Sequence, residues 1–208
     1  AVLNYLLLLG WAPEGEQEIF SLDEMIQIWD PARISKSPAI FDPLKLRAIN
    51  AAYIRALPAE EFRRLADPFI DSAVHCDIDR DLLCANLQPR CEVLEDIPPQ
   101  LDFFDAVLPI DAEMYRNKKQ KTTPESAKEA LTALLPVLEA QTDWTRDAIF
   151  EACKTLAEQL EKKNGWLLFP LGIALSGKAR TPGGGTDLAA MMGREETLKR
   201  VKDALGKL

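Results

Sequence analysis

The residues of this chain that could do chemistry are basic side chains, glycines and one well-placed arginine. Arg33-Ile34-Ser35-Lys36-Ser37 sets a lysine between two serines. A point charge on a loop suits a phosphate and carries no base specificity. Near the other end, Lys178 and Arg180 precede Thr181-Pro182-Gly183-Gly184-Gly185-Thr186. Three glycines allow positive φ and a close backbone approach before a helix. The run is not a phosphate loop, because the G-x-x-x-x-G-K-[ST] spacing is absent. Between these segments Arg90 follows Pro89 in Leu-Gln-Pro-Arg-Cys. A proline there interrupts a helix and lets the next side chain project. The planar guanidinium fork suits a base edge.

Other chemistries are excluded by residue supply. The only histidine, His75, stands beside Cys76, so no Ser-His-Asp or Cys-His pair can be built. Cys76, Cys84, Cys91 and Cys153 lack C-x-x-C spacing, which predicts reduced, mostly buried thiols and no metal site. Carboxylates crowd residues 65–113 but read as surface charge. No catalytic residue is expected. The longest apolar run, Tyr5 to Leu9, is far short of the ~20 residues a membrane span needs. With no leader-like segment, a cytoplasmic location is expected. The chain opens on Ala1, already in a helical pattern, which reads as the start of a fragment.

The net charge of −8 argues against a nucleic-acid partner until its distribution is read. Residues 1–30 carry −6, 31–64 +4, 65–113 −10, 114–128 +4, 129–161 −5 and 162–208 +5. Phosphate binding depends on local potential, so three basic islands could follow a curved backbone.

The elements that must position these groups read as helices throughout. Val2, Leu3, Leu6, Leu7 and Leu9 fit an apolar face at helical spacing, ended by Gly10 and Pro13. Ser21 and Glu24 form a capping box, and Asp42-Pro43 is a cap followed by a first-turn proline. Asp79 or Asp81 caps a helix that Pro89 interrupts. Thr123-Pro124-Glu125, within the polar stretch Asn117 to Ser126, starts another, and the residues before it are the expected domain boundary. Leu167 to Leu175 is taken as helix. Two closing helices are expected to meet at Gly193.

Two terminal blocks carry a family resemblance. LNYLLLLGW (Leu3 to Trp11), IFSLDEMIQIWD and RISKSPAIFDPLKLRAINAAYIR (Arg33 to Arg55) form one. PLGIALSGKARTPGGGTDLAAMMGREETLKRV (Pro170 to Val201) forms the other. Together they resemble the C-terminal, tRNA-contacting portion of bacterial glutamyl-tRNA synthetase, most strongly at residues 3–56 and 165–205. The resemblance implies an all-α chain with a stem-contact helical unit and two anticodon-binding lobes. The stem-contact unit and the first lobe would fill residues 1–118 and the second, C-terminal lobe residues 119–208. It also implies a catalytic domain upstream of Ala1 that holds ATP and Mg, with no cofactor in these residues.

Arg33 to Ser37 is similar to the lysine signature with which class I synthetases hold ATP. In the glutamyl family, however, that signature precedes the LNYLLLLGW block. The resemblance therefore assigns Lys36 to tRNA backbone, with Lys45, Arg47, Asn50, Tyr53 and Arg55 of the following helix. Aligning LQPRCEVL places Arg90 at the arginine that reads the last anticodon base, which separates Glu from Gln isoacceptors. Thr181 matches a family threonine beside the anticodon, and the loop of Gly183 and Gly184 lies against it. A family arginine and leucine are replaced by Gly172 and Gly184, with Lys178 or Arg180 as substitutes. The implied partner is tRNA(Glu), with tRNA(Gln) left open, for a monomer. The competing class is a helical protein–protein docking module, which the acidic segments 1–30 and 65–113 would suit.

Overall fold

The computed structural model describes every residue except Ser37. Among the described residues there are helices and short 3-10 turns but no strand. Extended backbone among the described residues pairs only at the bridges Trp11–Ile34 and Asn117–Thr122. The chain is all-α.

Three helices open it: α1 (Val2–Gly10), α2 (Leu22–Ile28) and α3 (Pro43–Ala56). The expected caps form. Ser21 Oγ accepts from Glu24 N at 3.2 Å, and Glu24 Oε2 accepts from Ser21 N at 2.6 Å. Asp42 Oδ1 accepts from the amides of Leu44 and Lys45 at 2.9 and 3.2 Å.

The apolar residues of α1 are not the ones it buries most deeply. Val2, Leu3 and Leu6 are 59, 60 and 53% exposed, whereas Asn4 and Tyr5 are buried. Hydrogen bonding sets this orientation. Asn4 Nδ2 donates to the Glu18 carbonyl at 2.8 Å, and its Oδ1 accepts from Phe20 N and Tyr53 OH at 2.8 and 3.0 Å. Asp42 N donates to Tyr5 OH at 2.6 Å. A buried amide with these three hydrogen bonds fixes the helix's rotation, because turning it outward would strand those partners. Leucines lie on several sides of α1, so periodicity could not identify the buried one.

The larger core is built from α4 (Ala59–Asp71), α5 (Arg80–Leu87), the 3-10 turns from Gln88 to Tyr115, α6 (Pro124–Ala140), α7 (Arg146–Gln159), α8 (Asn164–Ser176) and α9 (Gly185–Lys207). Asp79 caps α5 and Thr123 caps α6. Gly193 bends α9 with φ 78° and ψ 171°, so the two expected closing helices run on through a kink. One continuous buried cluster joins Phe62, Ile70 and Leu83 to Phe103, Leu134, Leu171, Leu188 and Val201. The polar stretch around residue 118 is a surface turn at the Asn117–Thr122 bridge, with Lys121 at φ 56°. The shared core runs beneath it.

A buried arginine fastens this core. Arg200 is 2% exposed. Its Nη1 donates to the carbonyls of Phe103 and Leu175, each at 2.7 Å, and its Nη2 to that of Phe104 at 2.6 Å. Its Nε donates to Glu196 Oε1 at 2.7 Å. The guanidinium thereby ties the irregular segment around Phe103 to the end of α8 and to α9. By sequence, Arg200 belonged only to the third basic island.

The alternating charge blocks are partly stitched together. Arg63 pairs with Asp81, and Lys202 Nζ lies 2.8 Å from Glu139 Oε1. Exposed pairs of this kind stabilise by no more than ~1 kcal/mol each. They do mean that only some of the basic residues are available to a ligand.

Candidate nucleic-acid interface

The loop between α8 and α9 is shaped by close packing. Gly177 ends α8 in the left-handed region at φ 69°, donating its amide to the Ile173 carbonyl at 2.8 Å. Thr181 Oγ1 then donates to the Gly183 carbonyl at 2.6 Å. The Gly184 amide donates to Asp187 Oδ2 at 2.7 Å, so Asp187 serves the first turn of α9.

The glycine run is there for approach. None of Gly183, Gly184 and Gly185 has positive φ, which corrects that part of the sequence reading. A Cβ on Gly183 would stand 2.5 Å from Asp187 Cβ. One on Gly185 would stand 2.6 Å from the Leu168 carbonyl oxygen and 3.0 Å from Gly172 N. The start of α9 thus touches the backbone of α8.

Across from this loop lies the turn Gln88–Arg90. Gln88 Nε2 pins it by donating to the carbonyls of Ile54 and Leu57 at 3.0 and 2.8 Å. Glu92 is taken by α3: Arg47 Nε reaches its Oε2 at 2.9 Å, and Asn50 Nδ2 donates to its carbonyl at 2.6 Å. Arg90 is exposed and has no ion pair among the described residues. A guanidinium without an internal partner, on an anchored turn, is ready to meet a ligand.

Arg90, Lys178, Arg180, Thr181, Gly183 and Gly184 line one cleft of about 870 Å³. The fold therefore unites the whole set that the sequence named for base contact. Their states differ. Arg180 is exposed with no ion pair among the described residues. Lys178 bonds Asp102, and its Nζ donates to the Pro99 carbonyl at 2.9 Å. That holds the rim of the cleft.

The profile of a family described as an anticodon binding domain matches residues 46–205. The chain belongs to this anticodon-binding domain family. It is 46% identical over its full length to a glutamate–tRNA ligase of Clostridium botulinum, and 43% identical to that of Clostridium acetobutylicum. It spans 43% of each of those relatives. A crystal structure of a glutamate tRNA ligase from Elizabethkingia meningosepticum, in complex with its amino acid, superposes on all of this chain and 41% of that one. The TM-score is 0.85 at 26% identity.

The second set of residues named from sequence lies away from the cleft of this anticodon-binding domain. Lys36 and Arg55 are exposed, with no ion pair among the described residues. Ser37, from the same segment as Lys36, lies outside the described residues. Lys45 Nζ is 2.8 Å from Glu18 Oε1. Arg47 also bonds Asp96, and Tyr53 bonds the Phe20 carbonyl. Burial pushes the Tyr53 phenol above its ordinary pKa, so it stays a neutral donor. Arg47, Asn50 and Tyr53 thus form the joints that seat α3.

Sequence reading missed Arg146, Phe150, Phe169, Gln100 and Gln120, which line the same cleft. They come from α7, α8 and two turns. Only the packing of these separate elements brings them together, and no local spacing signals it. Among the described residues no three His, Cys, Asp or Glu side chains are grouped to hold a metal. No helix among them is long and apolar enough to cross a membrane.

Proposed function

We propose that this anticodon-binding domain grips the anticodon loop of tRNA(Glu) for a glutamate–tRNA ligase. The observation that carries the reading is the unpaired Arg90 fork facing the glycine loop across one cleft. Sequence-specific recognition of RNA targets single-stranded loops, where splayed bases meet planar donors, aromatic faces and backbone polar groups. Arg90 supplies the fork. Thr181 braces the loop, and the exposed Gly184 lets backbone approach the ligand. Arg180 and Lys178 add positive potential at the rim, where phosphates pass.

Lys36, Lys45 and Arg55 meet tRNA backbone in this reading, while Arg47, Asn50 and Tyr53 hold α3 in place for them. Lys45 exchanges the exposed Glu18 for a phosphate. Glutamate activation with ATP and Mg belongs to the part of such a ligase that the chain does not span. That part also accounts for an apolar face. Among the described residues the exposed large hydrophobics fall within residues 2–44, apart from Leu160. Val2, Leu3, Leu6, Ile26, Ile40 and Leu44 are among them. Exposed apolar side chains concentrated in one segment suit a contact surface, and the remainder of a ligase polypeptide is the occupant they fit. A cytoplasmic monomer completes the reading.

Arg90→Gln tests it. The substitution keeps a donor but removes the fork and its charge. Binding to a tRNA(Glu) anticodon stem-loop should weaken by about 1–3 kcal/mol, and the preference over a tRNA(Gln) stem-loop should collapse. Equal weakening of both stem-loops, with the preference intact, would move Arg90 to a phosphate. A lower melting temperature with unchanged binding would make it structural.

A further inference from the structure

A second guanidinium in the cleft is held for a purpose that a surface ion pair does not need. Arg146 is the first residue of α7, and its side chain is 44% exposed. Three contacts fix its plane. Its Nε donates to Asp187 Oδ1 at 3.1 Å, and its Nη1 donates to Asp147 Oδ1 at 2.7 Å. Its Cζ lies 5.4 Å from the centroid of the Phe150 ring. The bonds to Asp147 and Asp187 raise its pKa further, so it is charged at every working pH.

An arginine carries five N–H donors. Asp187 and Asp147 use one each, which leaves the second Nη1 proton and both on Nη2. Asp187 is the residue whose other oxygen holds the Gly184 amide. The orientation of the fork is therefore tied to the glycine loop on the opposite side of one carboxylate. Behind it, Gly172 leaves the α8 wall as bare backbone, and Phe150 and Phe169 offer rings. Asp187 also sits in the first turn of α9, where a phosphate would otherwise be welcome. Its negative charge repels a phosphate from this corner, whereas a neutral base is admitted.

We propose that Arg146 is a specificity-determining residue that reads one unpaired nucleobase at this corner, distinct from the base met by Arg90. The base it fits presents two adjacent acceptors on one edge, as cytosine O2 and N3 or guanine O6 and N7 do, with its face toward Phe150. Asp187 is the positioning residue that aims the fork. The inference rests on the anticodon-loop reading above.

The test uses this 208-residue chain. Its ligands are tRNA(Glu) anticodon stem-loops, each changed at a single anticodon position, and binding is measured by fluorescence anisotropy. For the unsubstituted chain each change weakens binding. Arg146→Gln should lose roughly tenfold in affinity for the cognate loop and become indifferent to the base at one position, keeping its preferences at the others. Arg146→Lys keeps the charge but not the fork, so it should stay indifferent at that position. Arg146→Gln that discriminates at every position as the parent does would overturn the proposal. So would a uniform loss that Arg146→Lys restores, since that is a phosphate contact. If the unsubstituted chain binds no stem-loop, the anticodon-loop reading itself fails. That outcome is distinct from an Arg146 substitution without effect.

Discussion

Replacing Arg200 by methionine should cost this domain about 3–5 kcal/mol of unfolding free energy. Methionine fills the space of the arginine stem but donates nothing. The carbonyls of Phe103, Phe104 and Leu175 would then face the core without a donor. Each stranded acceptor carries a desolvation penalty of ~1–3 kcal/mol. Glu196 loses its partner as well, but it is partly exposed and can turn to water. For a domain of this size each kcal/mol moves the melting temperature by about 2–4 °C, so a fall of roughly 10 °C is expected in a thermal scan. Arg200→Lys, which keeps a charge but cannot reach three carbonyls at once, should fall between the two. A methionine variant that melts with the parent would show that the segment around Phe103 is held by packing alone.

Gly185→Ala should also be damaging, though less so, and for a reason that separates it from its neighbour. The new Cβ would meet the Leu168 carbonyl oxygen and Gly172 N, which are backbone atoms of α8 and cannot rotate aside. Alanine gains up to ~1 kcal/mol of helix propensity over glycine. Overpacking of this kind costs ~1–3 kcal/mol, so the clash decides the sign. Parting α8 from α9 also shifts the loop that carries Thr181 and Gly184, so stem-loop affinity should fall about tenfold, or ~1.4 kcal/mol. Gly184→Ala is the control. Its φ of −76° suits any residue, and its Cβ would come no nearer than 3.4 Å to Asp187 Oδ2. Its melting temperature should match the parent's. Equal melting of the Gly185 and Gly184 variants would refute the close-approach account of the run.

The features legible in the sequence are those with local causes. Ser21 with Glu24, Asp42 before Pro43, and Thr123 before Pro124 cap helices through atoms a few residues apart, so the sequence carries the whole interaction. Gly193 marked the bend in α9 because a positive φ is a property of one residue. Arg90, Thr181 and the glycines were found through motif resemblance. Their union in a single cleft needed the fold.

What the sequence hid depends on distant partners. The rotation of α1 is set by Asn4 meeting Glu18, Phe20 and Tyr53, while leucines on its other sides pointed elsewhere. Arg200 looked like one more surface cation until residues 103, 104 and 175 converged on it. The hold of Asp102 and the Pro99 carbonyl on Lys178 joins residues far apart in the chain, so no local pattern signalled it. Arg146 drew no notice because its role arises where α7 meets the start of α9.

The central claim is tested most directly by titrating this chain with the anticodon stem-loop of tRNA(Glu), and separately with that of tRNA(Gln), over a range of salt concentrations. The account predicts tighter binding of the Glu loop at every salt. It also predicts a steep linear fall of log K with log salt for both, as phosphate-bound cations are released. The gap between the two loops should persist across that range, because a base contact depends on salt far less than a phosphate contact does. Equal affinity for both loops, or binding that ignores salt, would contradict it.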